Sequence, residues 1–222
     1  MAPRRPICNG LAMDIGAPSA RPGATYSVRT LKQGDFDAAC ASLMRTVSQD
    51  YEPTLLVGIR TGGLVVAEAM ARSVGRPPTV MALTCRRPGT AAKSRLPLLH
   101  EMLAILPKEA VDTMRILEHR LLSPRRQRQA KPPNVDRAEA AAIADHLRNA
   151  HSLQRVLVVD DAVDSGVTLA TVIELLRGIC LEATEIRTAV ITVTLKQPRI
   201  MPDFALYHGV LCRFPWSFDA AR

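Results

Sequence analysis

A doubly wound α/β protein with a mainly parallel sheet is the fold class this sequence predicts, and three observations predict it. Short apolar runs alternate with segments of helical periodicity, in the order strand, helix, strand, both before residue 90 and after residue 155. Two of the predicted strands run into small-residue turns that open helices, at Arg60–Gly63 and at Ser165–Thr168. A chain of 222 residues, 47% hydrophobic and 23% charged, also has the size and composition of one globular core.

Taken in order, residues 1–25 are rich in Pro, Gly and Ala without periodicity and read as a flexible N-terminal tail. Asp35–Val47 repeats apolar residues at helical spacing (Phe36, Ala39, Cys40, Leu43, Met44, Val47). Thr54–Ile59 is a short apolar run that reads as a buried strand, followed by a helix over Leu64–Val74 that Gly75 ends. Thr79–Thr84 is a second strand and leads into the basic stretch Cys85–Arg95. From about residue 96 to 150 the rhythm changes to a helical insertion. It comprises two short helices broken at Pro107, the loop Ser123–Pro133, and a helix over Arg137–Ala150 capped by Asn134 or Asp136. Strand Arg155–Val159, helix Val167–Ile179, strand Glu185–Thr194 and a pair of short strands within Phe204–Phe214 complete the chain. The expectation is one domain, 26–222, with small hood elements at about 196–222.

Composition excludes several classes. No apolar run approaches bilayer length, so no membrane partner is expected. The five cysteines are scattered, with no Cys-x-x-Cys pair, the pattern of a reduced cytoplasmic protein without a zinc site. The formal charge of +8 is concentrated at Arg4–Arg5, Arg86–Arg95 and Arg115–Arg137, which favours a phosphate-bearing partner.

The most specific segment is Val156–Thr168, VLVVDDAVDSGVT. An apolar strand ends in Asp160 and Asp161, at the edge where open parallel sheets place their ligands. Ala162 and Val163 link the pair to Asp164, and Ser165, Gly166, Val167 and Thr168 then form a turn. The backbone N–H groups of such a turn can surround a phosphate at a helix N-terminus. Adjacent carboxylates on an extended strand point to opposite sides, so one can take ribose hydroxyls while the other faces magnesium or basic groups. A second turn, Arg60, Thr61, Gly62 and Gly63, offers another backbone nest for an anion, or is simply a tight turn.

VLVVDDAVDSGVT resembles the diphosphate-binding signature of type I phosphoribosyltransferases, most closely the 6-oxopurine (hypoxanthine and xanthine–guanine) enzymes. The resemblance implies their fold, phosphoribosyl diphosphate and a nucleobase-like acceptor as substrates, and Mg2+ as cofactor. It implies that Asp160 and Asp161 hold the ribose 2- and 3-hydroxyls and the metal, that Ser165–Thr168 hold the 5-phosphate, and that Ala162 and Val163 are among the substrate-binding residues. Asp164 becomes a candidate general base or hydrogen-bond partner near the purine N7. Ser165 stands where threonine is commoner. Arg60–Gly63 matches the pyrophosphate loop, with Arg60–Thr61 a candidate non-proline cis bond. Lys196 resembles the lysine aimed at the oxygen on C6, or is a solvated strand-end lysine. The closing VLCRFPW resembles the tail of xanthine–guanine enzymes, which implies Leu211 and Cys212 as walls for the base, with Leu211 replacing the usual aromatic. Trp216 reads as packing, and Cys85–Arg95 as a lid or a solvated basic turn.

The expected reaction is transfer of the phosphoribosyl group to a purine-like base by a cytoplasmic, homo-oligomeric enzyme. One alternative is a non-catalytic regulator that binds phosphoribosyl diphosphate and contacts nucleic acid through Arg125–Lys131, or a protein partner. Another is a transferase acting on a non-purine nitrogen nucleophile.

Overall fold

The computed structural model describes residues 27–86, 133–150, 154–180 and 183–217. The expected tail, residues 87–95 of the basic stretch, residues 96–132 of the expected insertion and the Arg125–Lys131 segment lie outside the described residues.

Among the described residues, six strands form the main sheet, in the order β4-β3-β2-β5-β6-β7. They are β2 (Leu55–Arg60), β3 (Thr79–Arg86), β4 (Asn134–Val135), β5 (Arg155–Val163), β6 (Glu185–Val193) and β7 (Phe204–His208). All neighbours are parallel except β3 and β4. The helices are α1 (Gln33–Asp50), α2 (Gly62–Arg72), α3 (Arg137–Arg148) and α4 (Val167–Ile179).

Continuous apolar runs such as LLVGI and VLVV suit strands covered on both faces, and alternation sorts their side chains between two cores. Leu56, Leu157 and Val159 join Phe36, Leu43 and Val47 of α1 and Val66 and Met70 of α2. Leu55, Val57, Ile59, Val156 and Val158 join Ile143 and Leu147 of α3 and Leu169, Val172 and Leu176 of α4. The chain is therefore three layers, α1 and α2 on one face and α3 and α4 on the other. The buried Tyr51 hydroxyl, just past α1, lies 3.0 Å from the Val156 carbonyl and 2.9 Å from that of Glu185. It ties the end of α1 to the starts of β5 and β6.

From β2 the chain moves outward to β3, whereas β5, β6 and β7 build the opposite side. The β2–β5 boundary is thus the switch point of the sheet, the place where α/β folds open a crevice.

Several boundaries differ from expectation. Helix α2 begins at Gly62 rather than Leu64 and ends at Arg72, with Ser73 right-handed, so Gly75 does not cap it. Strand β5 continues past Val159 to Val163 because its ladder with β6 runs on to Val163↔Val193. Asp136, not Asn134, caps α3, accepting from the Ala138 and Glu139 N–H groups at 2.9 and 3.1 Å. Within the span read as an insertion, α3 packs into the core of the sheet. Within the span read as hood, β7 belongs to the main sheet.

The C-terminal strand β8 (Val210–Arg213) instead pairs in parallel with β1 (Ser27–Thr30), in a separate two-stranded sheet that the sequence does not announce. The Leu31 N–H donates to the Arg213 carbonyl at 2.8 Å beyond it, and the Thr192 hydroxyl donates to the Val210 carbonyl at 2.7 Å, hanging the small sheet from β6. Trp216 meets Phe36 edge-on at 5.2 Å and stacks on Phe214 at 5.0 Å, a packing role as expected.

Candidate active site

Strand β5 pairs with β2 only as far as Gly58↔Val159, but with β6 as far as Val163↔Val193. Residues 160–163 therefore keep one strand neighbour, and their other side faces the turn between β2 and α2. Asp160 and Asp161 stand there, inside the strand rather than beyond its end. The Asp160 carboxylate accepts the Asp161 N–H at 3.0 Å, and Asp161 Oδ1 accepts the Ala162 N–H at 2.9 Å. Burial pushes the Asp161 carboxyl above the usual carboxylate range, opposed by its hydrogen bonds to Asp160 and to backbone N–H groups and reinforced by the Asp164 charge.

The glycine turn lies directly on this pair. A Cβ at Gly62 would fall on the Asp161 carboxylate, and one at Gly63 would meet the Val159 carbonyl and stand 2.8 Å from the Asp160 Cα. Two motifs a hundred residues apart in sequence thus form one wall, which only hydrogen side chains permit. The Arg60–Thr61 peptide bond is cis, as the sequence leads one to expect. Thr61 immediately precedes α2, leaving the first N–H groups of that helix at the turn.

The Arg60 guanidinium pairs with Glu139 of α3 at 3.0 Å, and the other Glu139 oxygen accepts the Thr84 N–H. A half-exposed ion pair contributes little, but an N–H left without its acceptor costs more. Glu139→Ala is expected to lower stability by about 1–2 kcal/mol. Glu139→Gln, which keeps an acceptor for Thr84, should cost under about 1 kcal/mol; urea unfolding of both variants checks the order.

On the other side of β5, residues 164–166 make the second turn. Gly166 has φ 74°, and a Cβ there would come within 2.9 Å of the Ile200 nitrogen. The turn is stitched to the segment after β6: the Thr194 N–H donates to the Val163 carbonyl at 2.9 Å and the Arg199 N–H to the Ser165 carbonyl at 2.8 Å. The Thr194 hydroxyl donates to the Asp164 carboxylate. Ser165 and Thr168 are buried at the start of α4. Lys196 is exposed, in the loop between those two attachment points.

Of the expected residues, the structure brings together Asp160, Asp161, Gly62 and Gly63, and separately joins Asp164, Ser165 and Gly166 to the loop that carries Lys196. Leu211 and Cys212 lie on β8; Leu211 is buried, while Cys212 packs against the α1-side core. Sequence reasoning missed two polar residues in contact with the expected site. Thr194 looks like one more β-branched residue of a strand. Glu139 follows Asp136 by three, the pattern of a capping box, yet its side chain serves Arg60 and Thr84 instead.

Among the described residues, no group of three or more His, Cys, Asp or Glu could hold a metal ion by itself. Asp160 and Asp161 supply hard carboxylate oxygens but too few for the six ligands of magnesium, and they fit an ion whose remaining ligands are phosphate oxygens and water.

A family model described as a phosphoribosyl transferase domain matches residues 29–220. No curated protein matches the chain at a significant level. Among solved structures, the chain is similar to a purine phosphoribosyltransferase from Pyrococcus horikoshii Ot3, with 19% identity, 86% of this chain and 94% of that one covered, and a TM-score of 0.53. It is also similar to a Helicobacter pylori xanthine-guanine-hypoxanthine phosphoribosyltransferase, with 16% identity, 87% and 96% coverage and a TM-score of 0.56. At such identities these likenesses speak for the fold, whereas the family model spans most of the sequence. The chain belongs to the phosphoribosyl transferase domain family and is a phosphoribosyltransferase.

Proposed function

We propose that the protein transfers the 5-phosphoribosyl group from phosphoribosyl diphosphate to a ring nitrogen of a purine-like base. The observation that carries this reading is the Gly62–Gly63 turn lying on Asp160 and Asp161 at the switch point of the sheet, with the Gly166 turn following the same strand. One turn can take a diphosphate and the other a monophosphate, with carboxylates between them where a ribose would lie.

In this reading Asp160 and Asp161 hold the ribose hydroxyls and stabilise positive charge as the bond from C1 to the diphosphate oxygen breaks. Residues 60–63 hold the departing pyrophosphate through backbone N–H groups, since the Arg60 guanidinium is engaged by Glu139. Ser165–Thr168 take the 5-phosphate at the N-terminus of α4. Asp164 accepts or shares the proton of the base, near N7, as another ring nitrogen bonds to C1. Lys196, an ammonium donor, selects a base with a carbonyl over one with an amine. Magnesium, held by Asp160 and Asp161 with the diphosphate, would neutralise leaving-group charge. Leu211 and Cys212 would flank the base.

The test is pyrophosphate release with phosphoribosyl diphosphate, magnesium and single bases: guanine, xanthine, hypoxanthine, adenine, orotate and uracil. Release is expected with oxopurines and not with adenine. Release with orotate or uracil alone would overturn the purine assignment. Binding of phosphoribosyl diphosphate without release for any base would overturn the catalytic one.

A further inference from the structure

We infer that Thr194 is a positioning residue for the acceptor base: its hydroxyl holds the Asp164 carboxylate so that one oxygen is occupied and the other is left for a ring nitrogen of the incoming base. The inference rests on the proposed role of Asp164 and extends it to a residue with no apparent signal in the sequence.

Thr194 is almost completely buried, directly after β6, and it bonds to the β5 end twice. Its N–H donates to the Val163 carbonyl at 2.9 Å. Its hydroxyl has one proton and two acceptors in reach, the Val163 carbonyl at 3.3 Å and Asp164 Oδ1, which is closer. The carboxylate is the nearer acceptor and the charged one, so the hydroxyl proton goes to it. Asp164 itself lies in a turn, outside the ladder that orients side chains on β5, and is partly exposed. A fixed donor from the neighbouring strand supplies the orientation that its own backbone does not.

The arrangement also sets Asp164 relative to Lys196. The segment from Thr194 to Arg199 is bound at its first residue to Val163 and Asp164, and at its last to Ser165. Lys196 sits between those two fastenings, so the acid and the lysine proposed to contact the base are carried on one frame. Loss of the Thr194 hydroxyl would release the carboxylate while leaving the frame's backbone bonds in place.

Threonine and valine have nearly the same shape, so Thr194→Val removes the hydroxyl alone. With an accepted oxopurine, Thr194→Val is expected to lower kcat by about 10- to 100-fold, as misplacement of a reacting group does. The KM for phosphoribosyl diphosphate should stay within about twofold, because that site does not involve Asp164, and Thr194→Ser should restore kcat to within about threefold of wild type. In an Asp164→Asn background the Thr194→Val change should cost less than about twofold, since there is no base left to orient. Circular dichroism and Tm establish that each variant is folded. An active wild type whose Thr194→Val variant keeps its kcat, or loses as much in the Asp164→Asn background as alone, would overturn the role of Thr194 and leave the proposed function standing. A folded wild type that binds phosphoribosyl diphosphate but releases pyrophosphate with no base would overturn both.

Discussion

Asp161→Asn is expected to lower kcat by about 10²–10³-fold while making the substrate-free protein more stable. The catalytic half follows from placement: the carboxylate lies on the glycine turn, beside Asp160, where positive charge would develop on the ribose. The stability half follows from burial, which raises the folded-state pKa of Asp161 above its unfolded value near 3.9. An acid whose folded pKa is raised contributes stability that is fully present below the unfolded value and lost as pH rises through the folded one. The Tm of the wild type should therefore fall across that window, and the asparagine variant should flatten the fall. Magnesium with phosphoribosyl diphosphate should reverse the ranking, because the variant has lost one of the two carboxylates proposed to hold the ion. Thermal scans across pH, with and without ligands, read both halves. Wild-type kcat in the variant would remove Asp161 from the site.

Gly63→Ala is expected to cost about 1–3 kcal/mol, the range of an overpacked core, and so to lower Tm by roughly 3–10 °C. What its Cβ meets is backbone, the Val159 carbonyl and the Asp160 Cα, and neither can swing away as the end of a side chain can. The strand that carries the acids must shift, so activity should fall together with stability. Gly178→Ala is the control, since nothing lies within 4 Å of its Cβ position in α4. There the lower chain entropy of alanine should raise stability by about 0.5–1 kcal/mol. Equal behaviour of the two variants, measured by Tm, would show that the glycine turn does not rest on β5.

The parts of this fold legible in the sequence are those where one physical pattern dominates. The runs around Val57 and Val158 can be little other than covered strands, and helix α4 is bounded as expected, at Val167 and Ile179. The acidic and glycine motifs are legible because their chemistry demands particular residue types in a fixed order. The ends of elements are less so: β5 outlasts its apolar run because β6 continues to pair with it, a matter of tertiary partnership rather than composition. Ser27–Thr30 is short and half polar, and becomes a strand only because Val210–Arg213 lies beside it. Thr194 and Glu139 act through partners thirty and more residues away, and no local pattern encodes such a meeting.

The pairing of β1 with β8 also gives the chain an order of assembly. A ribosome makes Ser27–Thr30 early, yet their partner Val210–Arg213 is among the last segments of the domain to emerge. At typical synthesis rates of about 5–20 residues per second, β1 waits roughly 10–40 s with an unsatisfied edge. The main sheet can assemble in that interval, since none of its six strands needs β1 or β8 as a neighbour. The small sheet closes last, so β1 finds its partner only after the strands of the main sheet have been made.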